Sequence, residues 1–200
     1  MGMFPSPGGL RVENYTLRQL VEAAFHMPTG QVIGATGWTN SDRFDVNART
    51  AAPATFEQEL QMLAPLLTER FHIRYHRESR QLRTYILATL KTGAKLHLAK
   101  NDNEKQRMTI LPTEISGTKV SMGYLASILS AQLHAPVVNE TGLAESYDLT
   151  LHYERIDQPG SSDGDPTIFS ALESLGLQLK TQKRELEVFV IESAALPTEN

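Results

Sequence analysis

Two stretches of the sequence share one pattern, and they lie about 105 residues apart. The first reads VIGATGWTNSDRFDV (residues 32–46) and the second reads VVNETGLAESYDL (residues 137–149). In both, a short apolar strand leads into a turn with glycine, and a strand of alternating polar and apolar residues follows. Asp45 and Asp148 occupy matching places in that second strand. The pattern is best explained by duplication of one ancestral unit.

Helix signals extend the repeat outward from these stretches. Apolar residues recur at helical spacing in four segments, which predicts four amphipathic helices. Thr16 with Gln19 and Thr55 with Gln58 have the spacing of a capping box, and Asp165 is the predicted cap of the fourth helix. The pattern in each half of the sequence therefore predicts a βαββαβ-like unit. The expected class is an α+β fold with helices packed on small mixed sheets.

Three features interrupt the periodic pattern. Pro65 lies inside the second helix, which we expect it to kink or to end early. Residues 100–118 lack periodicity, apart from a short strand expected near Ile115, and are predicted to be a linker. The chain then divides into a first repeat unit, residues 1–99, and a second, residues 119–200. A polar loop is predicted over residues 154–165.

The composition excludes several classes of site. The chain has 200 residues, a formal charge of −4 and no cysteine. Without cysteine there are no disulfides, thiol nucleophiles, iron–sulfur clusters or thiolate zinc sites. The mild acidity argues against a nucleic-acid partner, and no apolar run is long enough for a membrane span. The N-terminal residues lack the pattern of a secretory signal peptide.

A ribbon of arginines is the most distinctive chemical feature. It consists of Arg70, Arg74, Arg77, Arg80 and Arg83. Alternation from residue 71 predicts a strand with His72, Arg74 and His76 on one face. The ribbon is a candidate ligand-binding strip for an anion or an acidic partner. The alternative, which we favour, is a solvated face whose arginines pair with neighbours such as Glu69 and Glu78.

The histidines provide the only candidates for catalysis. On a strand, the Cα atoms of His72 and His76 are separated by roughly 13 Å, so we predict no metal site and no cofactor. A hydrolase with a site between the two halves would use His72 or His76 as the base, with Glu78, Asp45 or Asp148 nearby. The matching positions of the two aspartates favour a structural role for them instead.

Two further histidines precede prolines at the predicted ends of helices. His26 comes before Pro28, and His134 comes before Pro136. These similar positions suggest a shared role at the helix end.

Four segments carry a resemblance to a known family. They are GWTNSDRFD (37–45), LLTERFHIRYHRESR (66–80), PVVNETGL (136–143) and LEVFVI (186–191). Together they resemble the motifs of a soil-associated, uncharacterised domain family that is abundant in acidobacterial genomes. The order of elements in each half is also similar to the short N-terminal domain of secretins and TonB-dependent receptors. The resemblance implies an extracytoplasmic protein, periplasmic or secreted, with no established activity.

These observations predict a non-catalytic binding or sensing module. Its partner would be a protein or peptide, held by addition of a strand to an exposed sheet edge, or an anionic small ligand. The secreted hydrolase described above is the alternative, and a purely architectural repeat is a third possibility. The oligomeric state is left open.

Overall fold

The computed structural model describes residues 2–6, 9–34, 37–49, 54–99, 105–153 and 167–197. In this part of the chain, five helices and several small sheets form a mixed fold, which confirms the predicted α+β class. The chain forms two compact units. The first unit is Met1–Leu82 with Arg184–Asn200, and the second unit is Arg83–Lys183.

The first unit contains a three-stranded antiparallel sheet and three helices. Its elements are β1 (Gly2–Ser6), β2 (Gly9–Thr16), α1 (Leu17–Ala24), β3 (Val32–Ile33), α2 (Trp38–Ser41), β4 (Arg43–Arg49) and α3 (Phe56–Arg70). The strand order in the sheet is β1-β2-β4. Parts of two long strands, β5 (Arg74–Thr89) and β11 (Leu177–Ser193), also belong to this unit. β3 pairs in parallel with β11, with Val32 opposite Phe189.

The second unit contains a four-stranded antiparallel sheet and two helices. Its elements are β6 (His97–Leu98), β7 (Arg107–Leu111), β8 (Glu114–Ser121), α4 (Met122–Leu133), β9 (Val137–Asn139), β10 (Ser146–His152) and α5 (Ile168–Ser174). The strand order is β6-β10-β8-β7. β9 pairs in parallel with the part of β5 that lies in this unit, with Tyr85 opposite Val137.

The two units share one order of elements along the chain. In the first it is β2-α1-β3-β4-α3-β5, with the short α2 inserted, and in the second it is β8-α4-β9-β10-α5-β11. Duplication as the cause stays a prediction, as do the repeat bounds 1–99 and 119–200. The compact units have other bounds, because each takes part of both long strands. In the predicted linker, 100–118, residues 107–111 and 114–118 belong to the β7–β8 hairpin.

Most helix starts agree with the prediction. Thr16 and Thr55 both form complete capping boxes with the glutamines three residues later. α3 continues through Pro65 to Arg70, so the expected early end is wrong. Buried leucines on either side of the proline, Leu63 and Leu67, anchor both flanking turns in the core.

The fourth predicted helix begins later than expected. The N-cap of α5 is Thr167, whose side chain accepts a hydrogen bond from the N–H of Ser170. Asp165, the cap predicted from the sequence, lies outside the described residues, as does the polar loop predicted over residues 154–165.

The predicted strand through residues 71–73 is wrong. β5 begins only at Arg74, and His72 lies just beyond the end of α3 with φ of 47°. His26 and His134 have the same left-handed conformation after α1 and α4, with φ of 52° and 49°. His26 and His134 therefore lie at helix ends, as does His72, and a shared role of the two side chains there stays a prediction. A left-handed residue at this position ends a helix by turning the chain away from its axis.

Each unit has its own hydrophobic core. In the first, α1 and α3 bury leucines such as Leu20 and Leu67 together with Phe189 of β11. In the second, α4 and α5 bury Leu125 and Leu172 against the inward face of the sheet. Within the described residues, no helix has the length and apolar character that crossing a membrane requires.

Candidate functional site

The arginines of the ribbon lie on different elements. Arg70 is the last residue of α3, and Arg74, Arg77 and Arg80 lie on the part of β5 in the first unit, where alternate residues face opposite sides. Arg83 belongs to the second unit, and its guanidinium lies 5.7 Å from the ring centroid of Tyr85.

Arg77 and Arg80 are ion-paired. Arg77 Nη1 lies 2.8 Å from Glu187 Oε1, and Arg80 forms an ion pair with Glu78. The pairing of Arg80 with Glu78 agrees with the favoured interpretation of a solvated charged face. These side chains are a third to a half exposed or more, so each pair contributes little to stability.

His76 is at the centre of a chain of alternating charges. Its Nδ1 lies 2.7 Å from Glu192 Oε1, and its Nε2 lies 3.5 Å from Glu78 Oε2. The hydrogen bond with Glu192 raises the pKa of His76 above its ordinary value. The bond from Arg80 lowers the pKa of Glu78. Both ring nitrogens thus face carboxylates, which favours the imidazolium form and makes this cluster suited to ion pairing.

His72 and the two candidate aspartates lie on other elements than His76. His72 is in the turn after α3 and not on β5. Asp45 accepts a hydrogen bond from the backbone N–H of Asn14 at 2.8 Å, and Asp148 accepts one from the N–H of Lys119 at 2.9 Å. Both aspartates therefore have the structural role that their matching positions predicted. Among the described residues, no three His, Asp or Glu side chains are grouped to hold a metal ion.

A groove runs beside the edge of β4 in the first unit. Two adjoining cavities, of about 260 and 400 Å³, share Asn47 and Leu66 as lining residues. One wall is β4, from Phe44 to Arg49. The other wall belongs to α3 and consists of Glu59, Met62, Pro65, Leu66, Leu67, Glu69 and Arg70. We call this feature the β4–α3 groove.

The groove opens on the edge of the strand and not only on one of its faces. Side chains of a strand alternate between two faces, so a cavity on one face would be lined by every second residue. Here consecutive residues of β4 line it, and β4 is the end strand of its sheet in the described chain. No residue of β4 is fully buried.

The helix wall of the groove is apolar with charged groups at intervals. Met62 is 51% exposed although it is a large apolar residue. Glu59, by contrast, is only 5% exposed, and its Oε2 atom has no hydrogen-bond partner. A buried carboxylate oxygen of this kind is costly unless a donor reaches it. Arg70 lies at the far end of the groove.

Most of these residues are not among the candidates predicted from the sequence. Glu59, Met62, Leu66 and Arg70 recur at helical spacing and form a second stripe on α3, beside the stripe that enters the core. That spacing was the available signal. Arg70 is the one residue that the arginine ribbon and the groove have in common.

The comparison with protein families covers nearly the whole chain. A model for a family described as a protein of unknown function, DUF3738, matches residues 18–194. The chain belongs to the DUF3738 family. The matched range includes the β4–α3 groove of this DUF3738 protein and all described elements of its second unit. No curated protein and no solved structure matches the chain.

Proposed function

We propose that this DUF3738 protein is a non-catalytic binding module that takes up an extended peptide segment of a partner protein in the β4–α3 groove. The observation that carries the proposal is the edge of β4, which borders a continuous groove with a partly apolar opposite wall. An extended peptide adds to such an edge as a further strand, and its backbone hydrogen bonds supply affinity.

The dimensions and chemistry of the groove suit a short peptide. β4 has seven residues, which corresponds to a length of roughly 23 Å and matches a peptide of similar length. Alternate side chains of the peptide would meet the α3 wall, where Met62 and Leu66 provide apolar contact. The unpartnered Oε2 of Glu59 supplies an acceptor for a peptide donor, and Arg70 adds a cation that favours an acidic residue.

The experiment is selection of peptides of about nine residues from a displayed random library on the whole protein, followed by titration calorimetry. Met62→Arg places a charge on the apolar wall at an exposed position, so we expect the variant to fold. We expect it to weaken the selected peptides at least tenfold. The matched control is Ile110→Arg, since Ile110 is also a large exposed apolar residue but lies on β7 in the second unit.

Amide exchange separates strand addition from other modes of binding. A bound peptide should slow exchange at alternate N–H groups of β4, which point away from β2 in an antiparallel pair. Peptides that bind Met62→Arg as tightly as the original protein, or that protect no amide of β4, would contradict the proposal.

The compartment is part of the same proposal. A chain without cysteine is compatible with an oxidising environment, and the resemblance of residues 66–80 to extracytoplasmic acidobacterial proteins supports a location outside the cytoplasm. Fractionation of the native cells with an antibody against the protein tests this; recovery in the cytosolic fraction would contradict it.

A further inference from the structure

A second cavity, of about 670 Å³, lies in the second unit on the polar face of the sheet β6-β10-β8-β7. This volume is within the range of small-molecule sites. The lining includes three basic residues, Lys95, His97 and Arg107. It is distinct from the β4–α3 groove, which belongs to the first unit.

Strand register explains why polar groups gather here. Ser116 of β8 is paired with Thr109 of β7 on one side and with Thr150 of β10 on the other. The three hydroxyl residues therefore form a row across three neighbouring strands. The residues of β8 and β10 that alternate with them, Ile115 and Leu151, are buried in the core.

Basic residues flank this row of hydroxyls. Arg107 is paired with Thr118 in the next position along β7 and β8, and His97 of β6 is paired with Asp148. Lys95 precedes β6, and its backbone N–H donates to the carbonyl of Leu175. The backbone of Lys95 is thereby fixed at the rim of the cavity.

The charge of the cavity is unbalanced. Among the described residues, neither Lys95, His97 nor Arg107 forms an ion pair. Asp148 is the one acidic residue of the lining, and its Oδ1 already accepts the hydrogen bond from Lys119. Two permanent cations and a histidine thus face one carboxylate, and a cavity with this excess attracts anions.

We propose that this cavity binds a small anion that also carries hydroxyl groups, such as a phosphorylated or carboxylated sugar. The anionic group pairs with Lys95 and Arg107, because a guanidinium binds phosphate or carboxylate with two parallel hydrogen bonds. The hydroxyls of the ligand exchange hydrogen bonds with Thr109, Ser116 and Thr150, since each of these side chains both donates and accepts.

The test is titration calorimetry of the whole protein with four probes: glucose 6-phosphate, glucuronate, glucose and inorganic phosphate. We expect glucose 6-phosphate or glucuronate to bind at least tenfold more tightly than glucose and than inorganic phosphate. The stronger of the two identifies the anionic group as phosphate or carboxylate. Glucose or inorganic phosphate binding as tightly as the stronger of the two sugar anions, or no binding of any probe, would overturn the proposal.

Variants locate the binding. Arg107→Gln and Thr109→Val should each weaken the better probe at least fivefold, the first by loss of the cation and the second by loss of a hydroxyl. Lys183→Gln is the matched control, because Lys183 is an exposed cation of the same unit on β11, outside the cavity lining. Circular dichroism checks that each variant is folded. Unchanged binding in Arg107→Gln would overturn the assignment of the site.

Discussion

Asp148 and the backbone of Lys119 are held together by a hydrogen bond of 2.9 Å between Oδ1 and N. Lys119 has φ of 54°, and the register of β8 and β10 shifts at this point. In the first unit, Asp45 and Asn14 form the same contact at 2.8 Å, where Asn14 has φ of 65° and β2 and β4 shift register. An aspartate thus satisfies the N–H that each bulge removes from the strand ladder.

Removal of this acceptor should destabilise the protein. We expect Asp148→Ala to lower the free energy of unfolding by about 1–2 kcal/mol, because the N–H of Lys119 loses its partner in a half-buried place. Asp148→Asn keeps an acceptor oxygen and should recover most of that loss. Urea denaturation measures both variants. The control is Glu145→Ala, because Glu145 is an exposed carboxylate that directly precedes β10. An equal loss of stability in that variant would contradict the assignment.

Two glycines should respond in opposite directions to alanine. At Gly176, φ is 73° and an added Cβ would lie 2.2 Å from the carbonyl oxygen of Gly93, so Gly176→Ala should cost at least about 2 kcal/mol. At Gly123, inside α4, a Cβ meets nothing within 4 Å, and Gly123→Ala should raise stability by up to about 1 kcal/mol. The urea midpoints test this pair. A Gly176→Ala protein as stable as the original would show that the turn between α5 and β11 is not constrained as described.

His76 should titrate differently when Glu192 is neutralised. The hydrogen bond with Glu192 raises the pKa of His76, so Glu192→Gln should lower that pKa toward the ordinary value. The pKa of His76 in each protein is measured by following the chemical shifts of its ring carbons by NMR as the pH is varied. Glu187→Gln is the control, because Glu187 contacts Arg77 and not His76. Equal histidine pKa values in all three proteins would be evidence against the contact.

The contact of His76 with Glu192 also predicts how stability changes with pH. A histidine with a raised pKa in the folded state stabilises the fold fully below its unfolded pKa of about 6.5. That contribution is lost as the pH rises through the folded-state pKa. Glu192→Gln should therefore reduce the difference in melting temperature between pH 5.5 and pH 8.5, by a small amount, since the pair is exposed.

Ionisation of Glu22 should lower the stability of the protein as the pH rises, because the pKa of this carboxyl is raised in the folded state. Burial raises its pKa, although the N–H of Gly30 and the hydroxyl of Thr29 donate to it. The folded state therefore binds its proton more tightly, and stability declines as the pH rises from the ordinary glutamate pKa to the raised one. Glu22→Gln keeps an acceptor without the charge and should be more stable at pH 7.

The measurement is thermal unfolding of Glu22→Gln and Glu22→Ala at pH 4 and pH 7. The glutamine variant should gain stability relative to the original protein only at the higher pH. The alanine variant also loses the acceptor and should fall below the glutamine variant by about 1 kcal/mol. A glutamine variant less stable at pH 7 would mean that the charge itself is required.

Local interactions explain which structural predictions succeeded. The capping boxes at Thr16 and Thr55 involve residues three positions apart, so the sequence contains both partners side by side. The prediction failed at His72 for a related reason. Phe71 and Ile73 are both buried, as on a strand, but the left-handed residue between them produces the same alternation at a helix end.

The sequence by itself indicated the starts of most helices, the α+β class and a structural role for Asp45 and Asp148, because each depends on periodicity, capping or a recurring pattern. Only the tertiary structure decided that β4 is an end strand beside α3, and that Arg77 and His76 meet acids 110 and 116 residues away. Strand order and long-range ion pairs are set by how the chain closes on itself. The spacing of side chains along a segment does not predict which distant segment packs against it.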